Sequence, residues 1–186
     1  MTRRSADATR ALLFHAASRI IAAQGMGRLT LDEVAKQAGV SKGGLLYHFP
    51  SKEALIEGLI HELIEQFDGQ IEHEIAADTD PDARGRYTRA YVRASFRDDP
   101  NDLSLYTGLA AALDANPALL GRFHSISGRW RARLLADGIA PEVALGAALA
   151  ADGLVFNELL EPHDKDTGLR AGTLAALIAW VNNARL

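Results

Sequence analysis

Residues 29–55 read LTLDEVAKQAGVSKGGLLYHFPSKEAL, and the fold turns on this stretch. Thr30-Leu31-Asp32-Glu33 has the form of a capping box, in which the Thr30 hydroxyl and the Glu33 carboxylate satisfy amides left unpaired at a helix start. The helix it opens runs to about Ala38 and stops at Gly39. Ser41 caps a third, short helix, and Pro50-Ser51 closes that helix and opens a fourth. Upstream, Leu12, Leu13, Ala16, Ala17, Ile20 and Ile21 recur at helical spacing, with Gly25 as the stop. Three closely spaced helices joined by a tight Gly39-Val40 turn make a helix-turn-helix pattern. Ala35 and Val40 are small or branched enough to let two helices cross, while Leu45 and Phe49 belong to the small core.

A helix that docks in the DNA major groove needs an outer face that reaches base edges and flanking groups that grip phosphates. Lys42, Gly43, Gly44, Leu46, Tyr47 and His48 fall on that face, centred on residues 41–49. Glycine is a poor helix former, so helix stability does not explain Gly43 and Gly44. Without side chains there, backbone amides at the helix start can approach a phosphate. The plainer alternatives are that Tyr47 packs on the first helix, His48 caps the third, and Lys42 lies on a solvated edge.

The strings Leu29 to Ala35, Ala38 to Gly43 and Leu46 to Leu55 closely resemble the TetR family of bacterial regulators. The likeness covers the first third of the chain; beyond it, only length and helical layout match. The resemblance implies that Thr30 bonds a phosphate at the start of the second helix. It implies that Tyr47 and His48 contact phosphates at the end of the third, and Lys52 at the start of the fourth. Lys42 is the candidate base contact, since lysine can donate to guanine O6 and N7, and Ser41 belongs to the same surface. Arg3 and Arg4 could reach a neighbouring groove. Gly44 stands where Thr or Ser is frequent and Leu46 where Tyr is frequent, so base preference does not transfer.

The rest of the chain also reads as helix. The fourth helix carries Leu55, Ile56, Leu59, Ile60, Leu63, Ile64 and Phe67 to about Ile75. Turn signals then separate segments around Tyr87–Phe96, over 103–113, from Asn116-Pro117 to about 135, from Pro141 to about 160, and over 169–184. The expected fold is all-α: an N-terminal three-helix helix-turn-helix domain, residues 1–52, joined by a long helix to a helical-bundle effector-binding and dimerisation domain, residues 53–186.

Composition agrees with a helical regulator. The 186 residues carry 24% charged and 6% aromatic side chains and no cysteine, which excludes disulfides, thiolate metal sites and cysteine nucleophiles. Through Lys52, eight Lys or Arg face three acids, a net +5; the remainder holds twelve against twenty-one, a net −9. A basic front end on an acidic body suits a protein that presents one end to a polyanion. No stretch reads as a membrane span, and no secretory signal is evident, so a cytoplasmic location is expected.

Other chemistries find little support. His61-Glu62 with Glu65, and His73 between Glu72 and Glu74, lack metalloprotease spacing and read as exposed helix faces. Ser125, Ser127 and His124 lack a nucleophile elbow and an orienting acid, and no phosphate-binding glycine loop occurs. No cofactor, no metal and no enzymatic activity are expected.

In the resembling family the body binds an inducer and forms the dimer. Ala144, Gly146, Ala147, Ala148, Ala150, Ala151 and Gly153 make one helix rich in small residues. Leu145, Leu149, Leu154, Val155 and Phe156 add apolar area to it, as do Leu174, Leu177, Ile178, Trp180 and Val181 in the last helix. Two such hairpins could pack as a homodimeric four-helix bundle. Tyr87, Tyr91, Phe96, Tyr106, Phe123, His124, Trp130 and Asn157 are the candidates for a small-molecule pocket, which combines apolar walls with few polar anchors. The expectation is a regulator of double-stranded operator DNA, a repressor released by an unidentified small molecule. The alternatives are an activator, or a helical small-molecule-binding protein or enzyme that has lost DNA binding.

Overall fold

Capping hydroxyls and left-handed glycines set the element boundaries in the computed structural model, which describes residues 6–80, 84–97, 117–160 and 167–184. Among these are eight α-helices: α1 (Ala6–Gln24), α2 (Leu31–Ala38), α3 (Lys42–His48), α4 (Lys52–Ala77), α5 (Arg86–Ser95), α6 (Pro117–Leu135), α7 (Pro141–Leu160) and α8 (Thr167–Asn183). A 3₁₀ turn at Met26–Arg28, absent from the sequence reading, bridges α1 and α2. No strand occurs among the described residues, so the all-α class holds. The helix expected over 103–113 lies outside them.

The described residues through 64 belong to one compact unit, and those of 65–98 and 121–184 to a second. In the first, Gly39 turns the chain at φ 63°, a left-handed value that glycine adopts without steric cost. Its amide and that of Val40 return to carbonyls of α2, which places Ser41 to start α3. Leu13, Ala17, Ile20, Leu29, Val34, Leu45 and Leu55 fill the core beneath these helices. Phe14 and Phe49 meet with ring centroids 5.2 Å apart, and the Arg10 guanidinium covers both rings.

In the second unit α5 is the central element, with seven of its ten residues buried. Its N-cap, Gly85, has no side chain to offer, and Asp137 from the turn after α6 takes over that task. One Asp137 oxygen accepts the Tyr87 amide at 3.1 Å; the other accepts the Thr88 amide and hydroxyl, both at 2.7 Å. Arg89 is fully buried and tied to Asp78 at 2.7 Å, with the Arg84 carbonyl and Asn182 as further acceptors. Burial alone would raise the pKa of Asp78. The bonds from Arg89 and the Asp80 amide, with the charges of Arg89 and Arg93, outweigh that and hold it below its ordinary 3.8.

The small residues of α7 divide between two roles. Ala144, Ala147, Ala148 and Ala151 are buried in the core of their own chain, where small side chains admit close packing. A Cβ on Gly146 would come 2.7 Å from Trp180 of α8, so that glycine admits the indole. Ala150 and Gly153 face outward, beside exposed Leu149 and Phe156.

Candidate DNA-binding surface and effector region

The polar ends of α2 and α3 are built by hydroxyls that keep a donor in reserve. Thr30 Oγ1 accepts from the Glu33 amide at 3.2 Å, and Ser41 Oγ accepts from the Gly44 amide at 3.1 Å. A hydroxyl that accepts through a lone pair still carries its proton, so both exposed groups can donate to a phosphate. Between them α3 buries Leu45 and is followed by buried Phe49, while Ser41, Lys42, Gly43, Leu46 and Tyr47 are exposed.

Tyr47 is 83% exposed, so it does not pack on α1, and its ring meets His48 edge-on at 5.2 Å. Leu46, 38% exposed, places an apolar group beside it. Tyr47 is thus free of the small core and Leu46 only partly withdrawn into it, which leaves both side chains available to a partner surface. Gly43 has open space around its Cβ position, consistent with close backbone approach. Gly44 has a local packing reason: a Cβ there would lie 3.0 Å from Val40 Cγ1 and 3.2 Å from Ser41 Oγ.

The two lysines have partners that sequence reasoning missed. Lys42 Nζ lies 2.9 Å from Asp32 Oδ1, an exposed pair across the α2–α3 turn. Exposed pairs of this kind contribute about 0–1 kcal/mol, so a phosphate or guanine can compete for the ammonium. Lys52 Nζ donates to the Met26 carbonyl at 3.3 Å, joining the start of α4 to the 3₁₀ turn. An ammonium has three donors, which leaves Lys52 others for a phosphate.

The effector candidates fall into three groups. Tyr87, Tyr91, Phe96 and Trp130 line the core of the second unit or pack on it. Tyr91 and Trp130 come together with Phe67, with centroids 5.0–6.4 Å apart. Tyr91 donates its hydroxyl to Asp152 at 3.0 Å, and Trp130 Nε1 donates to Asp68 at 2.6 Å. Phe96 is buried, with Arg170 over its ring at 5.2 Å. His124 and Asn157 are exposed. Tyr106 and the side chain of Phe123 lie outside the described residues.

Asp68, Asp152 and Arg133 were not singled out in the sequence. Asp68 and Trp130 are 62 positions apart and Tyr91 and Asp152 are 61 apart, so no local spacing announces either pair. Desolvation pushes the Asp152 carboxyl upward against the pull of the Tyr91 hydroxyl. Although Asp152 keeps an exposed edge, the protein packed around its carboxyl weakens hydration there. Desolvation also drives Tyr87 up to about 12; Arg133 opposes this, while Asp68, Glu72 and Asp137 add to it. No cluster of His, Asp or Glu that could hold a metal occurs among the described residues. No helix among them is long and apolar enough to cross a membrane.

Comparison with known proteins covers both halves of the chain. The family described as "Bacterial regulatory proteins, tetR family" matches residues 13–59, and "Tetracyclin repressor-like, C-terminal domain" matches residues 85–182. The HTH-type transcriptional regulator TtgR of Pseudomonas putida is 37% identical over 67 residues, 36% of this chain and 32% of that protein's length. The HTH-type transcriptional regulator EthR of Mycolicibacterium smegmatis is 24% identical over 97% of this chain and 88% of its own. Among solved structures, one of a Pseudomonas aeruginosa PAO1 protein assigned as a transcriptional regulator superposes with a TM-score of 0.77 at 23% identity. It covers 97% of this chain and 92% of that one, a likeness of fold.

Proposed function

Since the chain belongs to the TetR family of bacterial regulatory proteins, we propose that it is a ligand-responsive transcriptional regulator, a repressor released from its operator by a small molecule. Residues 1–52 form the DNA-binding part and residues 53–186 the effector-binding and dimerisation part, acting in the cytoplasm. The observation that carries this reading is the outward face of α3, where Tyr47 and Leu46 stand in water beside the Ser41 cap and Lys42.

In this reading Lys42 reads a base edge, with Gly43, Gly44 and Leu46 close to the groove floor. Thr30, Ser41, Tyr47, His48 and Lys52 hold the flanking phosphates. A homodimer formed through α7 and α8 sets two copies of α3 about one helical turn, ~34–36 Å, apart on double-stranded operator DNA. Exposed Leu149, Phe156 and Trp180 supply apolar area for that contact. The effector favours a conformation in which the two α3 helices no longer match successive major grooves, and DNA affinity falls through linkage between the sites. The continuous helix α4, which begins at Lys52 and continues to Ala77, is the element that carries the change.

Footprinting of the purified protein on DNA flanking its own coding region tests this. A short palindromic footprint is expected. Lys42→Ala should weaken it about tenfold or more, the scale of one lost base contact (~1–3 kcal/mol). Tyr47→Ala should weaken all sites alike, because phosphates carry no sequence information. Absence of any footprint at low salt overturns the reading.

A further inference from the structure

Helices α4, α5 and α6 bring carboxylates and aromatic rings together in two rungs, one helical turn apart. In the first rung, Glu72 of α4 accepts from Arg133 of α6 at 2.9 Å. The Arg133 guanidinium lies 4.1 Å from the centre of the Tyr87 ring of α5. Carboxylate, cation and aromatic face therefore follow one another, each strengthening the hold on the cation.

The second rung repeats two of these three parts. Asp68 stands four residues before Glu72, Tyr91 four after Tyr87, and Trp130 three before Arg133. Asp68 accepts from Trp130 Nε1, Phe67 and Tyr91 pack edge-on with that indole, and Asp152 of α7 accepts from the Tyr91 hydroxyl. Among the described residues, no guanidinium takes the place that Arg133 has below. Arg129 reaches Asp68 only at 3.9 Å. Among the same residues, Asp152 has the Tyr91 hydroxyl as its polar partner and no cation.

A separate observation points to a ligand at this place. Tyr87 is 6% exposed, and its hydroxyl is buried with no hydrogen-bond partner among the described residues. Buried polar groups are almost always satisfied, because an unmade bond costs free energy. Tyr87 stands one helical turn before Tyr91 on α5, and Asp68 of the second rung, with Glu72 and Asp137, acts electrostatically on its hydroxyl. The region is open to solvent, since Trp130 and Asp68 are half-buried and Asp152 is exposed.

We propose that the effector binds at this second rung and is an organic cation with an aromatic or otherwise apolar body, its charge held by Asp152 and Asp68 against the rings of Tyr91 and Trp130. This rests on the effector-release reading above and supplies the chemical class which that reading left open. The Tyr87 hydroxyl, which stays protonated at physiological pH, donates to an acceptor atom on the ligand. An anionic ligand of the same shape meets two carboxylates and is rejected by like charge.

Three matched probes test the proposal on the full-length protein by titration calorimetry: (1-naphthylmethyl)trimethylammonium, neutral 1-naphthylmethanol and anionic 1-naphthylacetate. The cation is expected to bind at least tenfold more tightly than either of the others. Asp152→Asn and Asp68→Asn should each erase most of that preference while leaving the neutral alcohol unchanged. Circular dichroism melts of the variants separate lost recognition from lost folding. Equal or tighter binding of the anion, no measurable binding of the cation, or an unchanged preference in folded Asp152→Asn protein each overturns the proposal. Operator affinity is measured separately with and without each probe. If the cation binds without weakening DNA binding, release by this effector fails while the site stands. If the anion alone releases DNA, the switch stands and the cation site fails.

Discussion

A Cβ added at Gly58 would sit 2.8 Å from Cε1 of Phe49 and 3.0 Å from Cζ of Phe14, inside the ring pair that α1 and α3 share with α4. Gly58→Ala therefore overpacks the DNA-binding unit and should cost about 1–3 kcal/mol, read as a lower urea midpoint; an unchanged midpoint would refute the packing argument. Asp152 predicts the opposite sign. Its folded pKa is raised, so the native state carries a carboxylate that is less favourable above the ordinary pKa and is relieved as pH falls. Asp152→Asn should raise the melting midpoint at pH 7 and lose that advantage in acid, as followed by thermal melts across pH. At this scale the sequence was legible where the interaction was local. Thr30 with Glu33 and Ser41 with Gly44 are three residues apart, the reach of one cap. Lys42 with Asp32 spans ten residues and Lys52 with Met26 spans twenty-six, and no local rule assigns such partners.

At the scale of elements, the sequence marked α5 as a helix through Tyr87, Tyr91 and Phe96 but did not show its surroundings. Burial of Thr88 and Arg89 makes it an interior one. What permits this is the ion pair between Arg89 and Asp78, both almost wholly buried. Removing Asp78 takes from Arg89 its shortest charged partner and leaves Asp80 at 3.9 Å, so Asp78→Asn should cost about 1–3 kcal/mol. The pH dependence follows from the lowered Asp78 pKa. Its stabilisation is complete above the ordinary value of 3.8 and drains away as pH falls below it toward the lowered native value. The urea midpoint of the natural protein should decline over that acid range, whereas that of Asp78→Asn should vary less. Helix boundaries were readable wherever a cap or stop was encoded locally, as at Gly25, Gly39, Ser41 and Pro141. The 3₁₀ turn was not, because Met26-Gly27-Arg28 carries no cap signature and is held by amides returning to Gly25 and Met26.

For the whole molecule, the proposed DNA binding requires two copies, and α7 with α8 is the face through which we propose that they meet. Leu149 and Phe156 are 59% and 57% exposed, large apolar side chains that an isolated chain leaves in water. Leu149→Glu with Phe156→Glu should leave a monomer in sedimentation and lower operator affinity by about a hundredfold or more, because one α3 helix then binds alone. A dimer of unchanged stability would place the interface elsewhere. The small-residue stripe of α7 suggested such a seam from sequence. Composition did not reveal that four of its alanines serve the chain's own core, since an alanine fits either side of a helix equally well.

The cap on α5 has a further consequence, for the order in which the chain is made. Asp137 leaves the ribosome about fifty residues after Tyr87, several seconds at ~5–20 residues per second. Until then the start of α5 has no acceptor for its first amides, and Arg89 still awaits Asn182 near the other end of the sequence. The hydrogen bonds and ring contacts described above for the helix-turn-helix join residues among the first sixty-four, all of them made by that time. The DNA-binding end of a nascent chain would thus be formed before the part that controls it.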